Sequence, residues 1–191
     1  MEATQDLLWE QGYSATSPKD IMRRSGAGQG SMYHHFTNKQ ELAVVALECS
    51  AQSMRHDTEK LLATDGSAYE IATAYLRRQR DVLKGCRMGR MTFDADVLNT
   101  PELIEPVKRT FVWLLEALTV LFERGRDQGE FAADIDARNL ASLVVATVQG
   151  GYVLARATRD TDAFDAAVEG AAALLRKATE PLITEVSDHS D

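Results

Sequence analysis

The stretch from Ser17 to Phe36 leaves this chain few ways to fold. Ser17 is a good N-cap, Pro18 suits a first helical position, and Asp20 can reach back as the acid of a capping box. Ile21 and Met22 supply an apolar face, and Gly26 should stop the helix. Gly26-Ala27-Gly28 then allows a sharp turn with one residue at positive φ, which a Cβ would penalise. A second helix is expected from about Gln29 to His35 with Met32 and Phe36 inward, leaving Gln29, Gly30, Ser31, Tyr33 and His34 on the open side. A helix, a tight turn and a helix with a small polar face is the shape that lays a recognition helix in a DNA major groove.

The flanking sequence is helical by period. Before the motif, Met1 to Gln11 should pack Leu7, Leu8 and Trp9 against it, with Gly12 as the stop. After it, Thr37 with Gln40 reads as a cap, opening a long helix to about Ala63 through Ala43, Leu47, Ser50, Met54 and Leu61. The turn Thr64-Asp65-Gly66 leads to a Ser67/Glu70 capping box and a helix expected to reach Lys84. Gly85-Cys86-Arg87-Met88-Gly89-Arg90-Met91 is the least regular stretch and should open a short helix ending near Leu98. It lacks the spacing of a phosphate loop, and no strand precedes it. Thr100-Pro101 opens the next helix, which Pro106 should kink or restart. Gly129 reads as its cap. Asp136 starts another helix, and Asp162 begins a final amphipathic one to Val186, bent by Pro181 and followed by a polar tail, Ser187 to Asp191. No β-alternation and no internal repeat interrupts this pattern, so the expected class is all-α with about nine helices.

Composition narrows the class further. With 45% hydrophobic and 26% charged residues the chain is expected to be globular, not disordered. No apolar run approaches the roughly 20 residues of a membrane span, and no secretory leader is evident, so a cytoplasmic location is expected. Cys49 and Cys86 stand apart without metal spacing and read as buried free thiols. The net charge of −8 is unusual for a DNA binder, yet Lys19, Arg23, Arg24 and Lys39 gather within or beside the motif. Phosphate contact needs such a local patch, not a basic average.

Gly12-Tyr13-x-Ala15-Thr16-Ser17, Asp20-Ile21, Gly26, Gly30-Ser31-Met32-Tyr33-His34-His35-Phe36 and Lys39-x-Glu41-Leu42 together resemble, in order and spacing, the DNA-binding domain of the TetR family of bacterial repressors. The resemblance implies a three-helix DNA-binding head over residues 1–48 and a helical ligand-binding and dimerisation body over 49–191. It places Thr16, Ser17, Lys19, Gln29, Gly30, Ser31, Tyr33, His34, His35 and Lys39 at double-stranded operator DNA, with the Tyr33 hydroxyl on a phosphate. Lys39 opposes the dipole of the helix that it opens, and a phosphate arriving there would offset the mismatch. Where the family often has Val-Ser in the turn, this chain has Ala27-Gly28, and Gly30 costs about 1 kcal/mol relative to Ala in a helix. The Gly-Cys-x-x-Gly element resembles the branch that contains repressors of multidrug-efflux genes.

In the body, Met54, Tyr75, Met88, Met91, Phe93, Phe111, Trp113, Phe122 and Tyr152 suit an adaptable pocket for a small apolar or aromatic effector, with Arg87 and Arg90 available to an acidic one. Leu143, Thr147, Gly150, Gly151 and Leu154 on one helix, with Phe164, Val168, Ala171 and Leu175 on the next, suit a two-fold four-helix homodimer interface. No cofactor is expected. Adjacent histidines diverge by ~100° on a helix, which argues against a metal pair at His34 and His35. No nucleophile stands beside a histidine, and Asp94 and Asp96 fall on nearly opposite helix faces, so an enzyme is not expected. The expected role is a ligand-released, dimeric transcriptional repressor. A helical binding or adaptor protein that has lost DNA binding is the alternative, supported by acidic Glu2, Asp6 and Glu10 in the first helix.

Overall fold

The computed structural model describes residues 1–26, 28, 30 and 34–179. Those residues form nine α-helices and no strand: α1 (Glu2–Gln11), α2 (Pro18–Ser25), α3 (Lys39–Leu62), α4 (Ala68–Arg77), α5 (Arg87–Met91), α6 (Ala95–Asn99), α7 (Pro101–Asp127), α8 (Ala137–Thr158) and α9 (Asp162–Ala178). Ala27, Gln29, Ser31, Met32 and Tyr33 of the expected turn and recognition helix lie outside the described residues, as do Pro181, Leu182, Val186 and the polar tail.

Three apolar clusters divide the molecule along its length. Leu7 of α1, Ile21 of α2 and Leu42 of α3 close the head, with Met22 and Phe36 packed against them. Leu8, Ala43, Ala46, Leu47, Met88, Met91, Val97, Leu103 and Val107 form a joint between head and body. The third and largest cluster draws α4, α7, α8 and α9 together around Tyr75, Leu118, Phe122, Val148 and Phe164. α3 contributes to the first two clusters and runs through residue 48 without a break, so head and body share one helix. Trp9 turns to the body, not to the motif, and its indole N–H donates to the Gly85 carbonyl at 3.0 Å.

Local capping explains most element boundaries. The Ser17/Asp20 box is formed, and Gly26 ends α2 in the left-handed region at φ 68°. The Ser67/Glu70 box opens α4, and Asp136 accepts from the amides of Arg138 and Asn139 to open α8. The start of α3 differs from expectation by one residue. Asn38, not Thr37, is the N-cap and accepts from the Glu41 amide at 2.9 Å, while Glu41 accepts the Thr37 N–H at 2.7 Å. α4 stops at Arg77 instead of Lys84, because Arg80 folds back and donates to the carbonyls of Tyr75, Leu76 and Arg78 that a longer helix would have used. The expected single short helix is two, since Asp94 caps a new turn after α5. α7 starts at Pro101 and continues through Pro106.

By length and composition α8 could cross a membrane, contrary to the sequence expectation, though 39% of its most apolar window is buried within the protein. Its apolarity has two separate uses. One face, with Ala141, Val144, Val148 and Ala155, belongs to the body core, while Leu143, Val153 and Leu154 are exposed.

Candidate nucleic-acid interface and effector cavity

The head presents fewer free groups than the sequence suggested. Thr16 is buried, and its hydroxyl donates to the Gly12 carbonyl at 2.6 Å, so it locks a turn and offers nothing to a partner. Ser17 is half-buried and occupied by its own cap, donating its hydroxyl to Asp20 Oδ2 at 2.6 Å. Lys19, Gly30, His34 and His35 are exposed. Arg23 pairs with Asp20 at 2.7 Å and Arg24 pairs with Glu10. The two histidine rings meet edge to face at 5.0 Å, but no cluster of three metal-ligating side chains occurs among the described residues. Gln29, Ser31 and Tyr33 fall outside those residues.

Lys39 is less exposed than a simple phosphate-binding lysine would be. Its ammonium lies 4.0 Å over the Tyr13 ring. Burial pushes its pKa down, while the nearby Asp94 and Asp96 pull it back up. Those carboxylates belong to the body, and they hold the head directly. The Ser14 amide donates to Asp94 Oδ2 at 2.8 Å, and the Ser14 hydroxyl lies 2.5 Å from Asp94 Oδ1 and 2.8 Å from Asp96 Oδ2. Burial alone would raise the Asp94 pKa; the two Ser14 bonds, joined by the backbone N–H groups of Val97 and Asp96, outweigh it and leave the carboxyl below its ordinary value. Gly12, at φ 85°, turns the chain into this contact, and a Cβ there would stand 3.0 Å from Asp94 Oδ2. A second tie joins α1 to α5, where Arg87 donates to Asp6 at 2.9 Å and lies 4.1 Å over the Trp9 ring. Neither Ser14 nor the Asp94/Asp96 pair was assigned from the sequence. Asp94-x-Asp96 at a helix start signals a cap, and nothing local reveals its partner.

A cavity of about 770 Å³ opens beside this joint. Its lining combines Trp9 of α1, Ser50, Met54 and Asp57 of α3, the α4–α5 connection from Arg78 to Cys86, Arg87 and Met88 of α5, and Tyr152 of α8. A smaller one of about 290 Å³ shares Gly85, Cys86 and Tyr152 with it and adds Arg90, Phe93, Gln149 and Arg156. Of the residues expected to form an apolar pocket, Met54, Met88 and Tyr152 line the large cavity, and Phe93, 72% exposed, lines the small one. Tyr75 is buried behind the wall with Arg78 4.6 Å above its ring. Met91 is in the joint, and Phe122 is buried against Phe131. Phe111 is half-buried between the joint and the body core, and Trp113 lies beneath Arg55. The cavity is therefore more polar than expected, because the largest apolar side chains serve the core. Both cysteines are free and half-buried.

The expected dimer face also divides. Gly151, Phe164, Val168, Ala171 and Leu175 are buried in the protomer's own core, where a Cβ on Gly151 would meet the Phe164 ring at 2.7 Å. The glycine permits α8 and α9 of one chain to approach, so it is not surface for a partner. Gly150 is exposed and Thr147 half-buried, while Leu143 is 36%, Leu154 51% and Leu174 58% exposed.

Two family models match the chain: bacterial regulatory proteins of the tetR family over residues 1–46, and the tetracyclin repressor-like C-terminal domain over residues 66–171. The uncharacterized HTH-type transcriptional regulator YxaF of Bacillus subtilis is 24% identical over 178 residues, covering 90% of each chain. The HTH-type transcriptional repressor ComR of Escherichia coli is 25% identical over 171 residues, covering 82% of this chain and 77% of its own. Among solved structures, a TetR transcriptional regulator from Chloroflexus aurantiacus superposes with a TM-score of 0.81 at 28% identity over 91% of both chains. The reduced form of E. coli NemR is similar in fold, with a TM-score of 0.80 at 18% identity over 94% of both.

Proposed function

Since this chain belongs to the TetR family of bacterial regulatory proteins, and is thus a transcriptional regulator and not an enzyme, we propose that it is a cytoplasmic repressor released from DNA by a small molecule. It binds a palindromic operator as a homodimer, with Lys19, Gln29, Gly30, Ser31, Tyr33, His34, His35 and Lys39 of each head at the duplex. Exposed Leu143, Gly150, Val153 and Leu154 of α8, with Leu174 of α9, form the two-fold contact. An aromatic effector enters the large cavity.

The observation that carries this reading is the continuity between cavity and head. α5 supplies Arg87 and Met88 to the cavity wall, and Asp94, just beyond its end, grips Ser14 of the head. α3 offers a parallel route, with Met54 and Asp57 at the cavity and Lys39 at its first turn. A ligand that displaces either element moves the head, and by linkage DNA weakens ligand binding by the same factor. Fluorescence anisotropy with mixed genomic DNA at low and moderate salt tests the DNA half. A repressor loses affinity steeply as salt rises; an adaptor shows no such binding at either salt.

A further inference from the structure

Arginines in this acidic chain are mostly either paired with a carboxylate or exposed. Arg23, Arg24, Arg55, Arg77, Arg87, Arg109 and Arg126 each have a carboxylate within 4.0 Å. Arg124, Arg138, Arg156, Arg159 and Arg176 are exposed. The remaining three, Arg78, Arg80 and Arg90, are withdrawn from solvent and have no carboxylate within that distance among the described residues, and all three line the two cavities.

Arg78 and Arg80 stand together on the large cavity. Both lie over the Tyr75 ring, at 4.6 and 5.3 Å. Arg78 donates to Thr58 Oγ1 at 3.1 Å. Arg80 donates to the carbonyls of Leu76 and Arg78 at 2.7 and 2.8 Å and to that of Tyr75, while its Nε–H is buried without an acceptor. Carbonyls satisfy donors but do not neutralise charge. Withdrawing an uncompensated cation from water is costly, and the cost falls when an anion arrives. Burial already weakens the hold of Arg80 on its proton, and Arg78 adds to the effect. The acids around the same cavity, Glu2, Asp57 and Asp81, are exposed, so water screens their pull on the arginines. Arg87 is committed to Asp6.

We propose that the effector of this cavity is an aromatic carboxylic acid, its carboxylate against Arg78 and Arg80 and its ring among Trp9, Met54, Met88 and Tyr152. A carboxylate matches the guanidinium fork in shape as well as charge. The proposal rests on the reading of the large cavity as the effector site, and deepens it by naming the ligand class.

Calorimetric titration of the full chain, without DNA, with a panel of naphthalene and indole carboxylates and their methyl esters tests it. The expected result is at least one acid that binds roughly tenfold or more tightly than its ester. Arg78→Gln and Arg80→Gln should each erase that preference while leaving ester affinity within about twofold. Arg80→Gln also removes the bonds that end α4, so Arg78→Gln, which sacrifices one bond to Thr58, is the variant that keeps the fold. No acid exceeding its ester, or a preference that survives in Arg78→Gln and in folded Arg80→Gln, overturns the proposal. An acid that binds with the expected preference but leaves DNA affinity unchanged sustains the anion site and overturns release.

Discussion

The Ser14 hydroxyl has one proton and two carboxylate neighbours, Asp94 Oδ1 at 2.5 Å and Asp96 Oδ2 at 2.8 Å, across some 80 positions of sequence. Head and body therefore meet through a contact that a small displacement of α6 can break. Ser14→Ala and Asp94→Ala should each leave effector binding intact while reducing the coupling between effector and DNA, which is roughly 1–3 kcal/mol in allosteric proteins generally. Operator affinity measured with and without effector reads this directly. Full release in both variants would remove Ser14 and Asp94 from the signal path and leave α3 to carry it.

At the DNA face, Tyr33→Phe and Lys19→Ala should weaken binding. Lys39→Ala is the more discriminating change, because Lys39 also covers the Tyr13 ring. If it contacts phosphate, its loss should flatten the salt dependence by about one counterion. A variant with a lower Tm but an unaltered salt slope would make Lys39 a prop for the joint.

For assembly, the division of α8 into two faces gives opposite outcomes for substitutions at buried Gly151 and at exposed Leu154. Gly151→Leu should destabilise the protomer by about 1–3 kcal/mol through its clash with Phe164. Leu154→Glu with Leu174→Glu should instead leave Tm nearly unchanged and shift a sedimentation profile from dimer to monomer. A parent that sediments as a monomer at micromolar concentration would exclude the two-fold contact.

Alkaline titration probes the cavity wall. Burial pushes the Tyr152 phenol up from 10.0 to about 12, against the pull of Arg80. The folded state thus holds this proton more tightly than the unfolded chain. The stability it confers is fully present below pH 10 and is lost as pH rises through about 12. Tyr152→Phe should flatten the unfolding free energy over that interval, followed by chemical denaturation at stepped pH. An unchanged slope would place the phenol in water.

What could be read from the sequence was local. The Ser17/Asp20 and Ser67/Glu70 boxes and the glycine stops at Gly12 and Gly26 depend on residues within a turn of one another, and the structure contains them. The end of α4 was not legible, because its cap is a side chain, Arg80, that curls back without any glycine or proline to announce it. Periodicity found the apolar faces of α8 and α9 but could not say which side chains turn to the other helix of the same chain, as Phe164 does against Gly151. Similarly, it marked Phe122 and Met91 as large and apolar without telling core from cavity. The Ser14–Asp94 contact lay beyond any window, being a matter of tertiary distance alone.

The unbroken course of α3 from joint to cavity gives it the mechanics of a lever. At 1.5 Å per residue, the span from Met54 to Lys39 is about 22 Å, so a five-degree tilt about the cavity end would swing the far end by roughly 2 Å. In a two-fold pair the swings have opposite sense, and the separation of the heads would change by up to about 4 Å. Half-sites on one face of a duplex sit about 34 Å apart, a length set by the helical repeat of DNA and not by the protein. In the proposed dimer, a tilt of that size at the cavity end would put the reading heads out of step with the spacing that the duplex sets.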